Sequence, residues 1–229
     1  MLKGIDVSNW QREIDWHTHA DRGVVFAFAK ATEGEDYTDK WFERNWAEMR
    51  EHWIVRGAYH FARPRQDPVE QARHFLRVVS RASSGPGGPG HGLRRGDLIA
   101  LDLETGDRRH PEKVAEFARI WCAAVTEWAG VRPFVYTYPS FADKGNCEGL
   151  DRYPLWIAAP DRPIGEPDVP DPWRTWAIHQ YDQNPIDQNA FEGSRAELTR
   201  HGKHGARGRH RHNGHHRRHG DRHRRHRHD

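Results

Sequence analysis

Leu98-Ile99-Ala100-Leu101-Asp102-Leu103-Glu104 is the stretch that decides the fold. Four apolar residues lead into two acids, and side chains two apart on an extended chain point to the same side. Asp102 and Glu104 therefore share one face, while Leu101 and Leu103 turn the other toward a covering layer. An apolar run that ends in paired acids suits a buried parallel strand delivering side chains to the mouth of a barrel.

Working outward, similar short runs recur at Leu2 to Val7, Val24 to Lys30, Gly57 to Phe61, Phe134 to Tyr138, Leu155 to Ala158, Trp176 to Tyr181 and Ile186 to Phe191. Helix-length segments separate the earlier ones. Phe42, Trp46, Met49 and Trp53 recur at helical spacing, as do Val114, Phe117, Trp121, Val125 and Trp128, so each set predicts one buried stripe. Asp67-Pro68 and His110-Pro111 place proline at a first helical position, with Asp67 as N-cap, and Gly130 suits a helix C-terminus. The alternation predicts an α/β fold, a TIM-like β/α barrel of parallel strands. After about residue 138 the helical patterns weaken and Pro160 to Pro172 is proline-rich, so the barrel is expected to be irregular, with a more antiparallel closing section. Ser83 to Gly96 reads as a flexible loop within the domain, because the alternation resumes beyond it.

The chain has 229 residues, enough for one barrel. Its 36 Lys and Arg and 33 Asp and Glu are unevenly placed: 10 and 2 of them fall in residues 201–229, giving +8 there and −5 over residues 1–200. A chain-wide reading as a basic nucleic-acid binder therefore fails. The tail contains 10 His and 9 Arg and is expected to be disordered, leaving residues 1–200 as the folded domain. The longest apolar runs, Val24 to Ala29 and Ile120 to Val125, fall far short of the ~18 residues of a membrane span. Asp6 stands where a signal peptide would be apolar, so no signal peptide is read and export would be non-classical or by phage-type release. The spacing of Cys122 and Cys147 matches no metal or redox motif; the two could form one bridge, but Cys122 is read as a core residue.

Polar groups collect where the runs end: Asp6, then Lys30 to Glu33, Tyr59 to Arg63, Asp102 with Glu104, and Tyr136 to Tyr138. In a parallel barrel these ends converge on one face. Two acids sharing a pocket repel one another, so one holds a proton near neutrality while the other stays ionised, which suits cleavage of a glycosidic bond. A metal site or a solvated pair is the other reading of Asp-x-Glu, but no histidine ligand pattern lies nearby and no metal ligands are assigned. Asp187 and Asn189 repeat the spacing, although that segment reads equally as an Asx-rich turn. Trp10, Tyr59, Phe61, Tyr136, Tyr138, Trp156 and Tyr181 are candidates for stacking on sugar rings. His60 and His179 are read as satisfied core or rim groups and not as catalysts.

The ordered set Gly4 to Gln11, Phe28 to Gly34, Gly57 to Phe61, Leu101 to Glu104, Pro133 to Thr137, Leu155 to Ala158 and Gln180-Tyr181 through Ile186 to Phe191 closely resembles glycoside hydrolase family 25, the Chalaropsis-type lysozymes. The resemblance covers residues 2 to about 192. It implies a barrel of five βα units with an antiparallel closing section, and N-acetylmuramidase activity on bacterial peptidoglycan outside the cell, with no metal or organic cofactor. Matched motif to motif, it implies Glu104 as proton donor, Asp102 as its partner carboxylate, and Asp6 and Asp187 as further acids of the pocket. Tyr59, Phe61, Tyr136, Trp156, Gln180, Asn189 and Glu33 are the substrate-binding candidates. Ala159-Pro160 and Asn184-Pro185 depart from the family's pattern at the groove rim. The partners expected are peptidoglycan glycan strands and, through residues 201–229, anionic wall polymers, with no specific nucleic acid and a monomeric enzyme. Two rivals accompany this reading: a catalytically inactive peptidoglycan-binding barrel, and a polyanion- or metal-binding protein acting through its tail.

Overall fold

In the computed structural model, which describes residues 1–84 and 93–203, eight strands close a barrel. β1 (Leu2–Val7) pairs in parallel with β2 (Val24–Glu33), and β3 (Tyr37–Thr38) folds back on the end of β2 as a short hairpin outside the ring. Parallel pairing continues through β4 (Val55–Phe61), β5 (Leu98–Asp102), β6 (Phe134–Thr137), β7 (Leu155–Ala158) and β8 (Ile178–Asp182). β9 (Asp187–Phe191) runs against both β8 and β1 and so closes the ring. The irregular barrel with an antiparallel closure is as the sequence leads one to expect.

Alternation along the strands separates two cores. Phe26, Phe28, Leu98, Ala100, Phe134, Trp156 and Ile178 fill the barrel, whereas Ala27, Ala29, Leu101 and Leu103 face outward to the helices. The interior is tight enough that small residues must stand opposite large ones: a Cβ on Gly57 would lie 2.3 Å from the Phe28 ring, and one on Gly4 2.3 Å from Phe26. Phe28 in turn packs on Trp156 with centroids 4.5 Å apart.

The outer layer comprises α1 (Trp16–Asp21), α2 (Phe42–Glu51), α3 (Pro68–Ser84) and α4 (Pro111–Ala129), followed by the single turn α5 (Pro139–Phe141), which runs into a π turn at Ala142–Asn146. Asp67 caps α3, its Oδ1 accepting from the N–H groups of Val69 and Glu70 at 2.7 and 3.0 Å. Pro111 opens α4 and Gly130 ends it at φ 64°. Both helical stripes end sooner than their periodicity suggests. Phe42, Trp46 and Met49 are fully buried, but the chain leaves the helix at His52, and Trp53 is 82% exposed. Trp128, in the last turn of α4, is 45% exposed.

Cys122 and Cys147 are free and buried. His60 is the satisfied core group expected, with Nδ1 2.7 Å from Thr32 Oγ1, Nε2 2.8 Å from Gln71 Oε1, and its ring stacked on Trp121. His179 is likewise held, accepting from the Gly165 N–H and contacting the Ala159 carbonyl. A short α6 (Arg195–Arg200), closed by a Ser194/Glu197 capping box, covers the base of the barrel. Leu198 inserts into the barrel interior, and His201 packs against Phe134 and Phe191. The expected tail lies outside the described residues from 204 onward, as do residues 85–92 of the glycine-rich loop.

Candidate active site

The C-terminal ends of the parallel strands surround a cavity of about 310 Å³ lined by Asp6, Lys30, Tyr59, Asp102, Glu104 and Asp187, among others. Phe61, Tyr136, Trp156 and Gln180 also line it, and Trp10 stands 82% exposed at the rim. A larger hollow of about 870 Å³ opens at the opposite end of the barrel beside Trp173 and Trp176, where none of these four acids reaches.

Asp102 ends β5, and Glu104 follows just past it, after Leu103 has donated its N–H to the Tyr136 carbonyl at 2.9 Å. That bond extends the strand direction by one residue and keeps the two acids on the same side. Asp102 is buried, and its Oδ1 has no hydrogen-bond partner among the described residues. Burial first, and then the neighbouring Glu104, push its carboxyl well above the usual range. Glu104, half-buried, is also raised, mainly by burial, while Lys30 and Arg63 oppose the shift.

Asp6 ends the inward-facing part of β1 and stands opposite Asp187 in the β1–β9 ladder. Its Oδ2 accepts from Gln180 Nε2 at 2.8 Å and Asn189 Nδ2 at 2.7 Å. Each donor is itself oriented: Tyr136 donates its hydroxyl to Gln180 Oε1 at 3.1 Å, and Trp156 Nε1 donates to Asn189 Oδ1 at 2.7 Å. Burial and the Asp187 charge raise the Asp6 carboxyl to about 7, against the pull of these two donors. The phenols of Tyr59 and Tyr136 are pushed up by burial and by the carboxylates around them, so both remain neutral donors.

Two candidates sit apart from the cavity. Asn189 is fully buried behind Asp6, and Glu33 is committed to Lys30 at 2.6 Å and to Arg63. Tyr138 and Tyr181 do not line it either. Lys30, by contrast, has no role in the sequence reading beyond its place among the polar residues gathered at strand ends. It is buried, with its ammonium 4.7 Å from the Phe61 ring centroid, and its charge opposes the upward shift of both members of the acid pair. Its signal was there to read, as a lysine inside an otherwise apolar strand.

Lys30 and Glu33 meet because β2 carries a bulge. Lys30 pairs with Tyr59 and Thr32 with His60, which leaves Ala31 unpaired. Residues three apart on a regular strand face opposite ways, and one extra residue restores them to the same side. Arg63 continues the chain of charges from Glu33 to Asp107 at 3.4 Å, on the loop that follows Glu104. Four carboxyl groups, each raised above its usual range chiefly by burial, beside one buried ammonium and a wall of aromatic rings, can donate and accept protons at an acetal linkage.

The family described as "Glycosyl hydrolases family 25" matches residues 5–189. The Escherichia coli protein YegX is 33% identical over 210 residues, covering 86% of this chain and 72% of its own. "Lysozyme M1" of Streptomyces globisporus is 30% identical over 219 residues, covering 86% and 70%. The crystal structure of a lysozyme from Streptomyces coelicolor superposes with a TM-score of 0.76 at 28% identity, covering 87% of this chain and 96% of that one. With the barrel, its antiparallel closure and the acid-lined mouth all in place, the chain belongs to glycosyl hydrolases family 25 and is a glycoside hydrolase.

Proposed function

We propose that the enzyme is a lysozyme of the N-acetylmuramidase type, hydrolysing the β-1,4 bond between N-acetylmuramic acid and N-acetylglucosamine in peptidoglycan outside the cell membrane. The observation that carries this reading is the Asp102–Glu104 pair at the mouth, two carboxyl groups whose burial and close approach favour a single proton between them, so that one can donate while the other carries charge. A Glu104 that keeps its proton to higher pH than a free glutamate is suited to protonate the leaving glycosidic oxygen.

As that bond breaks, positive charge develops at the anomeric carbon. The substrate's own N-acetyl carbonyl oxygen then bonds to this carbon, and Asp102, ionised while Glu104 holds the pair's proton, accepts a hydrogen bond from the amide N–H at its unpartnered Oδ1 and balances the charge. Glu104, now ionised, takes a proton from the incoming water, which opens the cyclic intermediate and leaves the sugar with its original configuration. Tyr136, Trp156 and Gln180 line the groove, with Asp6 and Asp187 on the wall formed by β1 and β9.

The test is Glu104→Gln, which keeps size and shape but cannot supply the proton. Turnover on purified peptidoglycan should fall by about 10²–10⁴-fold, the range for a lost acid–base group, with the thermal unfolding midpoint unchanged. A folded Glu104→Gln enzyme with full activity overturns the assignment.

A further inference from the structure

The end of the barrel opposite the acids carries a second concentration of charge, of the other sign. Arg50 lies at the end of α2, Arg94 and Arg95 lead into β5, and Arg195 and Arg200 stand on α6. Because β9 runs against the parallel strands, α6 emerges where those strands begin, and all five arginines meet at the base. All are exposed, and they border two adjoining hollows of about 220 and 470 Å³ that share Arg95, Gly96 and Thr199. None of the five forms an ion pair among the described residues. The one carboxylate lining either hollow is Asp97, which the buried Arg56 neutralises from below.

Trp53 stands within this patch. It is 82% exposed, with φ 58°, and its carbonyl accepts from Arg195. A bulky residue enters the left-handed region against steric resistance, and here its indole gains no burial in return. The platform beneath is firm. Leu198 anchors α6 in the barrel, the Lys203 N–H donates to the Asp97 carbonyl at 2.9 Å, and the Gly96 N–H donates to the Lys203 carbonyl at 2.9 Å.

We propose that this basal face docks a phosphodiester-linked polyol or sugar polymer of the bacterial wall, the arginines on its phosphates and Trp53 against a ring. Guanidinium groups match phosphate in charge and shape. The mouth, with four acids, disfavours such a polyanion, so the two ends of the barrel select different components of one wall and can be occupied together. The choice of a wall polymer over other polyanions rests on the muramidase reading.

The experiment measures binding of sugar-substituted poly(glycerol phosphate) at low and at moderate salt. It uses the full chain and a chain ending at Lys203, which retains the whole barrel and α6. Replacing Arg95, Arg195 and Arg200 together by Gln should weaken binding by the shorter chain about tenfold and flatten its salt dependence, because phosphate contacts are lost. Cleavage of soluble glycan fragments should stay within about twofold, as the patch is remote from the acids. Trp53→Asn, which suits the positive φ, should weaken binding with little change in salt dependence. The proposal is overturned if the triple variant binds like its parent, or if single-stranded DNA of matched charge binds the parent as tightly as the polymer. A parent that docks polymer through these arginines but cuts no glycan would overturn the muramidase reading and leave the docking face standing.

Discussion

Asp6 and Asp187 stand directly opposite one another in the antiparallel ladder that closes the barrel, where burial and the Asp187 charge together raise the proton affinity of Asp6. The Asp6 carboxyl, raised to about 7, therefore binds its proton more tightly in the folded than in the unfolded chain, where an aspartate titrates near ~3.9. Its contribution to stability is fully present below about pH 4 and is lost as the pH rises through 7. Asp6→Asn removes that loss. Each tenfold difference in proton affinity between the folded and unfolded chain is worth about 1.4 kcal/mol, so the variant should be more stable than the parent at about pH 8 by about 2–4 kcal/mol and no more stable at about pH 4. Thermal unfolding across this range checks it, and equal slopes for the two proteins would remove Asp6 as the cause.

The stereochemistry follows from which acid serves the water. With Glu104 and Asp102 acting from one side and the N-acetyl group as nucleophile, the first product should be the β anomer, read by NMR before mutarotation. Asp6 acting as a base on water from the opposite face would give the α anomer instead and reassign the mechanism. Asp102→Asn should lower turnover by about 10²-fold or more while binding of a chitooligosaccharide is retained, since the lost charge matters most in the transition state.

Arg63 does not line the cavity, yet it links Glu33 to Asp107 on the loop that follows Glu104. Arg63→Ala should lower kcat by about tenfold, as small misplacements of a catalytic group do, with less effect on KM. Its guanidinium also holds the Glu104 carboxyl down. Removing it raises the pKa of the acid that must be protonated, so the alkaline limb of the rate profile should move to higher pH. Arg63→Lys, which keeps the charge, should restore the limb more than it restores kcat. A variant that loses activity with an unmoved profile would confine Arg63 to a structural role.

Arg56 binds Asp97 through both carboxylate oxygens at 2.8–3.0 Å and lies over the Trp46 ring, all of it buried. Burial works against both charges, and the paired geometry offsets it. Arg56→Met alone strands a buried carboxylate and should cost about 3–5 kcal/mol in denaturant unfolding. Arg56→Met with Asp97→Leu should cost less than the single change.

Much of this molecule is legible in local sequence. The run Leu98 to Leu101 sets a buried strand, the spacing of Asp102 and Glu104 sets a shared face, and proline and glycine punctuation sets the start of α3 and both ends of α4. These properties depend on neighbours within a few residues. Periodicity alone puts Trp53 and Trp128 on buried faces, and both are exposed, because spacing defines a stripe but not where the core beneath it ends.

What only the tertiary structure decided lies at the closure and at the bulge. Asn189 reaches Asp6 across 183 residues of chain, and the charge pair of Lys30 and Glu33 exists because Ala31 drops out of the β2–β4 ladder. The sequence by itself determined which residues are extended, which face each presents, and that the acids gather at strand ends. Which acids face one another, and how strongly burial holds their protons, was decided when β9 returned antiparallel to β1, because register and desolvation belong to the closed barrel and to no single segment of it.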